Sequence, residues 1–170
     1  METNSVVFFR SKDYPALPVC PIVSAWNIKS PENVGSLMRL VDNVGGKELF
    51  LLDDEIPKRL SSVRKTAGLS FANIRLNAVS AESFFDKLAE GYSVVAIETS
   101  ENSKNIFEVE LPHEIVFLLG SESHGLPDDL LEKCHQVVHI PMTGKCKSMN
   151  VSHALAVTLF EWQRQQLFNK

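Results

Sequence analysis

The chain has 170 residues, 44% of them hydrophobic and 22% charged, which excludes a disordered or fibrous protein and leaves room for a sizeable core. No apolar run reaches the roughly eighteen residues of a membrane-spanning helix, the amino terminus lacks the basic-then-apolar order of a secretory signal, and the three scattered cysteines do not make a disulfide framework; the expected setting is the cytoplasm, with free thiols. The formal charge of −4 excludes a uniformly basic nucleic-acid binder but not a basic patch, because screening limits exposed charges to roughly 8–10 Å of reach.

Val6 to Phe9 has the composition of a short edge strand, and Pro15 and Pro18 bracket a connector, so residues 1–18 read as a leader and 19–170 as one domain. From Val19 a β-then-α rhythm begins. Val19–Trp26 is an expected buried strand. Ser30-Pro-Glu-Asn33 has the marks of a helix start, with a side-chain cap, proline at the first helical position and an acid in the first turn. Val34, Leu37, Met38 and Val41 follow at helical spacing, and Gly45-Gly46 ends the helix. A strand at Lys47–Leu52, a poorly periodic helix over 57–67, a strand at Asn73–Val79 and a helix from Ser80 to Gly91 come next. Strands are expected at Tyr92–Ile97, Ile115–Leu119 and Gln136–Ile140, with a brief helix at Pro127–Lys133 and a terminal helix over Asn150–Leu167. This alternation predicts an α/β fold, a mostly parallel sheet with helices on both faces.

Three segments place polar residues where a strand gives way to a helix, the position at which parallel α/β folds hold ligands. The first is Asn33-Val-Gly-Ser-Leu-Met-Arg39. Six residues of helix turn through about 600°, so Asn33 and Arg39 do not share a stripe. Gly35 sits where glycine costs roughly 1 kcal/mol relative to alanine, which points to a close backbone approach. The second is Leu118-Leu-Gly-Ser-Glu-Ser-His-Gly-Leu126, with the lone carboxylate Glu122 after a strand. The third is Gly144-Lys-Cys-Lys-Ser-Met-Asn-Val-Ser-His-Ala154, carrying Ser148 and Asn150. Neither a phosphate-binding G-K-[ST] loop nor a G-x-G-x-x-G fingerprint is present. Cys134, His135, His139 and Cys146 are zinc-type ligands, but their spacing matches no familiar site, and no metal is expected. Lys58, Arg59, Arg64 and Lys65 form a basic cluster suited to RNA phosphates.

Taken together and in this order, the three segments resemble the signature motifs of the SpoU/TrmH family of RNA 2′-O-ribose methyltransferases, from about Val19 to the last helix. Met149 stands where leucine is commoner, and Ser30 where asparagine is often found. The resemblance implies a deep trefoil knot in the carboxyl-terminal part of the sheet, a homodimer, and S-adenosyl-L-methionine bound by loops at Thr99, Gly120, Ile140 and Met149. It further implies methyl transfer to a ribose 2′-hydroxyl, with Asn33, Arg39, Glu122, Ser148 and Asn150 as the catalytic set. A guanidinium stays protonated in proteins, so Arg39 suits a phosphate clamp that favours the developing alkoxide, and Glu122 or a phosphate oxygen suits the proton.

A compact chain with an 18-residue leader is expected to act on tRNA, and Ser148-Met-Asn150 is similar to the small enzymes of the anticodon wobble ribose. An rRNA substrate is the first alternative. An inactive RNA-binding or assembly factor on the same fold is the second, although such a protein would be expected to have lost some of the polar set. On the last helix, Val151, Leu155, Leu159 and Trp162 form an apolar stripe that fits either a dimer contact or the domain's own core.

Overall fold

The computed structural model of the chain describes residues 4–12, 14, 15, 17, 19–52 and 55–168. Its seven strands are β1 Ile22–Ala25, β2 Glu48–Leu51, β3 Arg75–Ala78, β4 Ser93–Ile97, β5 Lys104–Asn105, β6 Ile115–Leu119 and β7 Gln136–His139. They form one sheet in the order β3-β2-β1-β6-β4-β7-β5, and every pairing between them is parallel. A parallel sheet is stable only when both faces are covered. β6 shows this most fully, since all five of its aliphatic and aromatic residues are buried.

The helices are α1 Asn4–Arg10, α2 Pro31–Asn43, α3 Leu60–Ala67, α4 Ser70–Asn73, α5 Ala81–Lys87, α6 Asp128–Leu131 and α7 Val151–Phe168. One face of the sheet carries Ile115, Phe117 and Leu119 of β6 and packs against α2, α3 and α7 through Val34, Leu37, Val63, Leu155 and Trp162. The opposite face carries Val116 and Leu118 and packs against Phe84 of α5 and Leu130 of α6. The α7 stripe is therefore spent inside the chain: Leu155, Leu159 and Trp162 are each 0% exposed, whereas Phe160 remains 46% exposed.

Two expectations are corrected. Val6–Phe9 lies within the helix α1, with no residue buried. A strand needs a neighbour, and the sheet edges belong to β3 and β5; the segment instead closes on itself through Ser11 Oγ donating to the Phe8 carbonyl at 2.7 Å. The helix expected from residue 57 begins at Leu60, after an irregular segment containing Pro57. The connector bracketed by Pro15 and Pro18 lies partly outside the described residues, as do Asp53 and Asp54.

The start of α2 follows its sequence signals. Ser30 Oγ accepts the Asn33 N–H at 3.2 Å, and proline opens the first turn. Gly35 marks the crossing of α2 with α3. A Cβ there would lie 2.7 Å from Thr66 Cβ, 2.7 Å from the Val63 carbonyl oxygen and 3.0 Å from the Ala67 nitrogen. Two of those three atoms are backbone, so the helices would have to separate. Gly35→Ala is expected to destabilise the protein by about 1–3 kcal/mol, the usual penalty of overpacking, although alanine is the better helix former. Urea unfolding checks this, and a gain in stability would show that the crossing is loose.

Candidate active site

The carboxyl ends of β4, β6 and β7 open into one cavity of about 450 Å³. Its walls are Ile97, Glu98 and Thr99 after β4, Leu119 to Ser123 with Gly125 after β6, and His139, Ile140 and Met142 at the end of β7. The segment Lys147–Val151 and Ala154 of α7 complete it. Thr99, Gly120, Ile140 and Met149 thus meet around a single space, as does Ser148. The combination of aliphatic walls with backbone polar groups, at a volume within the roughly 300–1,000 Å³ of small-molecule sites, is that of a ligand pocket.

The loop after β6 is drawn tightly together. Ser121 and Gly125 exchange two backbone hydrogen bonds of 3.1 Å. A Cβ on Gly120 would come within 2.4 Å of the Gly125 carbonyl carbon. Gly125 has φ +66, and its α-carbon faces the Glu98 carboxylate, which a Cβ would meet at 2.4 Å. Glu98 accepts the Leu126 N–H and the Thr99 N–H, both at 2.8 Å, and so fastens the turn after β4 to the turn after β6. Glu98 carries no signal in the sequence, because an acid following a strand acquires this meaning only once the two turns are adjacent.

At the mouth of the cavity, one hydrogen-bonded chain joins the three motifs. Asn33 Nδ2 donates to Glu122 Oε1 at 2.8 Å, and Asn150 Nδ2 donates to Asn33 Oδ1 at 3.0 Å. Asn150 Oδ1 accepts from both the Ser152 N–H, at 2.9 Å, and the Ser152 hydroxyl, at 2.7 Å. Both amides are therefore held in a fixed orientation. Glu122 also accepts backbone N–H groups of Lys29 at 3.4 Å and Ser30 at 3.3 Å. Partial burial pushes its carboxyl upward, but the Asn33 amide and the backbone N–H groups of Glu122, Lys29 and Ser30 together outweigh this and hold it below its ordinary value.

A carboxyl lowered by folding stabilises the protein fully above its unfolded pKa, and that contribution is lost as the pH falls through the lowered folded value. Glu122→Gln is therefore expected to melt below the wild type by a constant margin from neutrality down to about pH 5, with the gap closing as the pH falls into the carboxylate range. A margin unchanged by acidification would show that Glu122 draws nothing from its donors.

The remaining candidates are distributed differently. Arg39 is exposed, six residues along α2 from Asn33, or about 9 Å of helix rise, and its guanidinium lies 3.5 Å from the Thr66 carbonyl, outside the cavity. Arg64 stacks over Phe71 at 4.9 Å on the α3 side, whereas Lys58 and Arg59 line a second cavity beside the start of α2. The zinc-type residues are engaged separately. His135 Nδ1 accepts the Val94 N–H at 3.0 Å, His139 Nδ1 meets Ser103 Oγ at 2.9 Å, and Cys134 donates to the Leu130 carbonyl.

The fold and this cavity define a parallel α/β protein with a cavity of small-ligand size at the carboxyl ends of its central strands. The family model of the SpoU rRNA Methylase family matches residues 21–160, and the chain belongs to that family. It is 30% identical over 143 residues to a tRNA (guanosine(18)-2′-O)-methyltransferase of Thermus thermophilus, covering 83% of this chain and 73% of that protein. It is also 30% identical over 151 residues to the mouse tRNA (guanosine(18)-2′-O)-methyltransferase TARBP1, 86% of this chain but only 9% of that protein. An S-adenosylmethionine-bound rRNA methyltransferase from Sinorhizobium meliloti superimposes with a TM-score of 0.76 at 28% identity, over 91% of this chain and 62% of that one.

Proposed function

We propose that this protein methylates a ribose 2′-hydroxyl of RNA, using S-adenosylmethionine as methyl donor and tRNA in preference to rRNA. The observation that carries the reading is the chain Glu122–Asn33–Asn150, which ties all three motifs together at the mouth of one cavity. That cavity suits the donor: Leu119, Ile140 and Met149 offer apolar walls to a base, and the turns at Thr99 and Gly120 present backbone groups for its polar edges. When bound, the cofactor supplies an electrophilic methyl carried on sulfur, which leaves sulfur as it bonds to the ribose oxygen.

The protein's own part is alignment and charge. A ribose hydroxyl is a poor nucleophile until its proton departs, so its orientation and the stabilisation of the developing alkoxide decide the rate. Glu122, surrounded by donors, fixes Asn33. The departing proton passes to Glu122 or to a phosphate oxygen of the substrate, and from there to solvent. Arg39 clamps the phosphate with its guanidinium, which remains charged throughout. Because Arg39 stands outside the cavity of its own subunit, the reading includes a homodimer that offers this arginine to the partner's site. The family likeness also supports a trefoil knot in the carboxyl-terminal part of residues 19–170, and a cytoplasmic setting. No helix among the described residues is long and apolar enough to cross a membrane.

The relatives act on either tRNA or rRNA, so the substrate is tested directly. Labelled methyl transfer to unmodified bulk tRNA and, separately, to unmodified rRNA is followed by digestion to nucleosides, with Arg39→Ala as control. A 2′-O-methylated nucleoside from the tRNA pool, lost in the control, is expected. Product from rRNA alone would reassign the substrate. No product from either pool, with S-adenosylhomocysteine still raising the melting temperature, would leave an RNA-binding factor.

A further inference from the structure

A second cavity, of about 420 Å³, lies beside the first turn of α2, lined by Ile28, Lys29, Pro31 and the segment Glu55–Arg59. We propose that it is a binding site for the nucleotide adjoining the methylated one, with Lys58 and Arg59 taking its phosphate and Ile56 with Pro31 and Pro57 its base. This inference rests on the methyltransferase reading for the word "adjoining", but the binding of single-stranded RNA there stands on the cavity itself.

Three observations carry it. Among the described residues the lining carries Lys58 and Arg59 against one carboxylate, Glu55, on a chain whose overall charge is −4; two neighbouring cations in a concave surface are suited to a phosphate. Lys58 and Arg59 are exposed and, among the described residues, make no ion pair. The apolar part is equally specific. Ile28 is buried, Ile56 is 43% exposed, and two prolines line the same space, an apolar wall beside a guanidinium of the kind that stacks on bases. The third observation is position. The backbone of Lys29 and Ser30 donates to Glu122 at the mouth of the first cavity, while Lys29 and its neighbours Ile28 and Pro31 line the second. The two spaces therefore share one stretch of backbone as a wall, and a strand whose ribose sits at the first continues toward the second.

The test uses the full chain and a fluorescein-labelled single-stranded RNA of mixed sequence, measured by anisotropy at several salt concentrations. Lys58→Ala with Arg59→Ala is expected to weaken binding about tenfold and to flatten the slope of log affinity against log salt by one to two, the signature of lost phosphate contacts, while S-adenosylhomocysteine affinity stays at its wild-type value. RNA binding unchanged in this double variant overturns the proposal. In the transfer assay, a substrate with an abasic residue beside the methylated position is expected to show a KM several-fold higher with the wild type, and no such penalty with Ile56→Ala. An equal penalty in both proteins would also overturn it, since the base would then be read elsewhere. Absence of methyl transfer to every RNA, with cavity-dependent RNA binding intact, would instead sink the methyltransferase reading and leave the RNA site standing.

Discussion

Replacing Trp162 with alanine is expected to lower the melting temperature by roughly 6–20 °C. The indole is 0% exposed, and its Nε1–H donates to the Pro112 carbonyl at 2.8 Å. Truncating a buried tryptophan costs about 3–5 kcal/mol through lost transfer energy and the cavity left behind, and a chain of this size loses roughly 2–4 °C per kcal/mol. The effect reaches the site, because α7 carries Trp162 near its middle and lines the cavity with Val151 and Ala154. Trp162→Phe, which keeps most of the volume and loses the hydrogen bond, should retain the larger part of the stability. Calorimetric melts of the two variants check this; a drop of only a few degrees for alanine would mean that the helix is held by its other contacts, such as Gln165 with the Val109 carbonyl and the Leu111 N–H.

The second large effect concerns rate. Asn33→Leu conserves volume but removes the side chain that bridges Glu122 and Asn150. It leaves a carboxylate without its 2.8 Å donor and an amide donor without its acceptor; Glu122 and Asn150 are exposed, so water replaces the lost partners and the stability cost stays below the roughly 1–3 kcal/mol of a buried orphan. If the chain holds the ribose oxygen in line, kcat should fall by roughly 10²–10³, the range seen when one preorganised polar group is removed. S-adenosylhomocysteine affinity should change little, because Asn33 is not part of the cavity wall. Asn33→Asp sharpens the test. It sets one carboxylate against another and should raise the Glu122 pKa, so that the lost activity returns in part as the pH is lowered. A variant with normal kcat at pH 7.5 would remove Asn33 from the reaction.

What the sequence disclosed follows the range of the interactions involved. The start of α2 was readable because its determinants are local, with Ser30, Pro31 and Asn33 within four residues. Gly35 was readable as a close approach, though not as an approach to α3 in particular. Six of the seven described strands were readable from their aliphatic runs, down to the fully buried Ile115–Leu119; β5, Lys104–Asn105, has no such run and was missed. The position of Arg39 outside its own cavity was not, because a motif gives separation along the chain and no direction in space. Glu98 was missed because its meaning depends on Gly125, 27 residues later, turning its α-carbon toward the carboxylate. The leader failed in the opposite sense. Val6–Phe9 has strand composition, but composition cannot supply a neighbouring strand, and a short helix satisfies the backbone without one.

The contact between Asn150 and Asn33 closes a loop of 117 residues. Contacts of such long separation form late, because the entropy of closing the loop must be met before they contribute anything. A growing polypeptide that has emerged only as far as Gly144 can already hold β1, β2, β4, β6 and β7, yet it lacks Lys147–Ala154 and the whole of α7. The nascent chain therefore has its strands, but neither the pocket nor the helix that covers one face of the sheet. Competence for the ligand arrives together with Leu155, Leu159 and Trp162, so a translation product truncated before α7 loses the cofactor cavity and part of the core in one step.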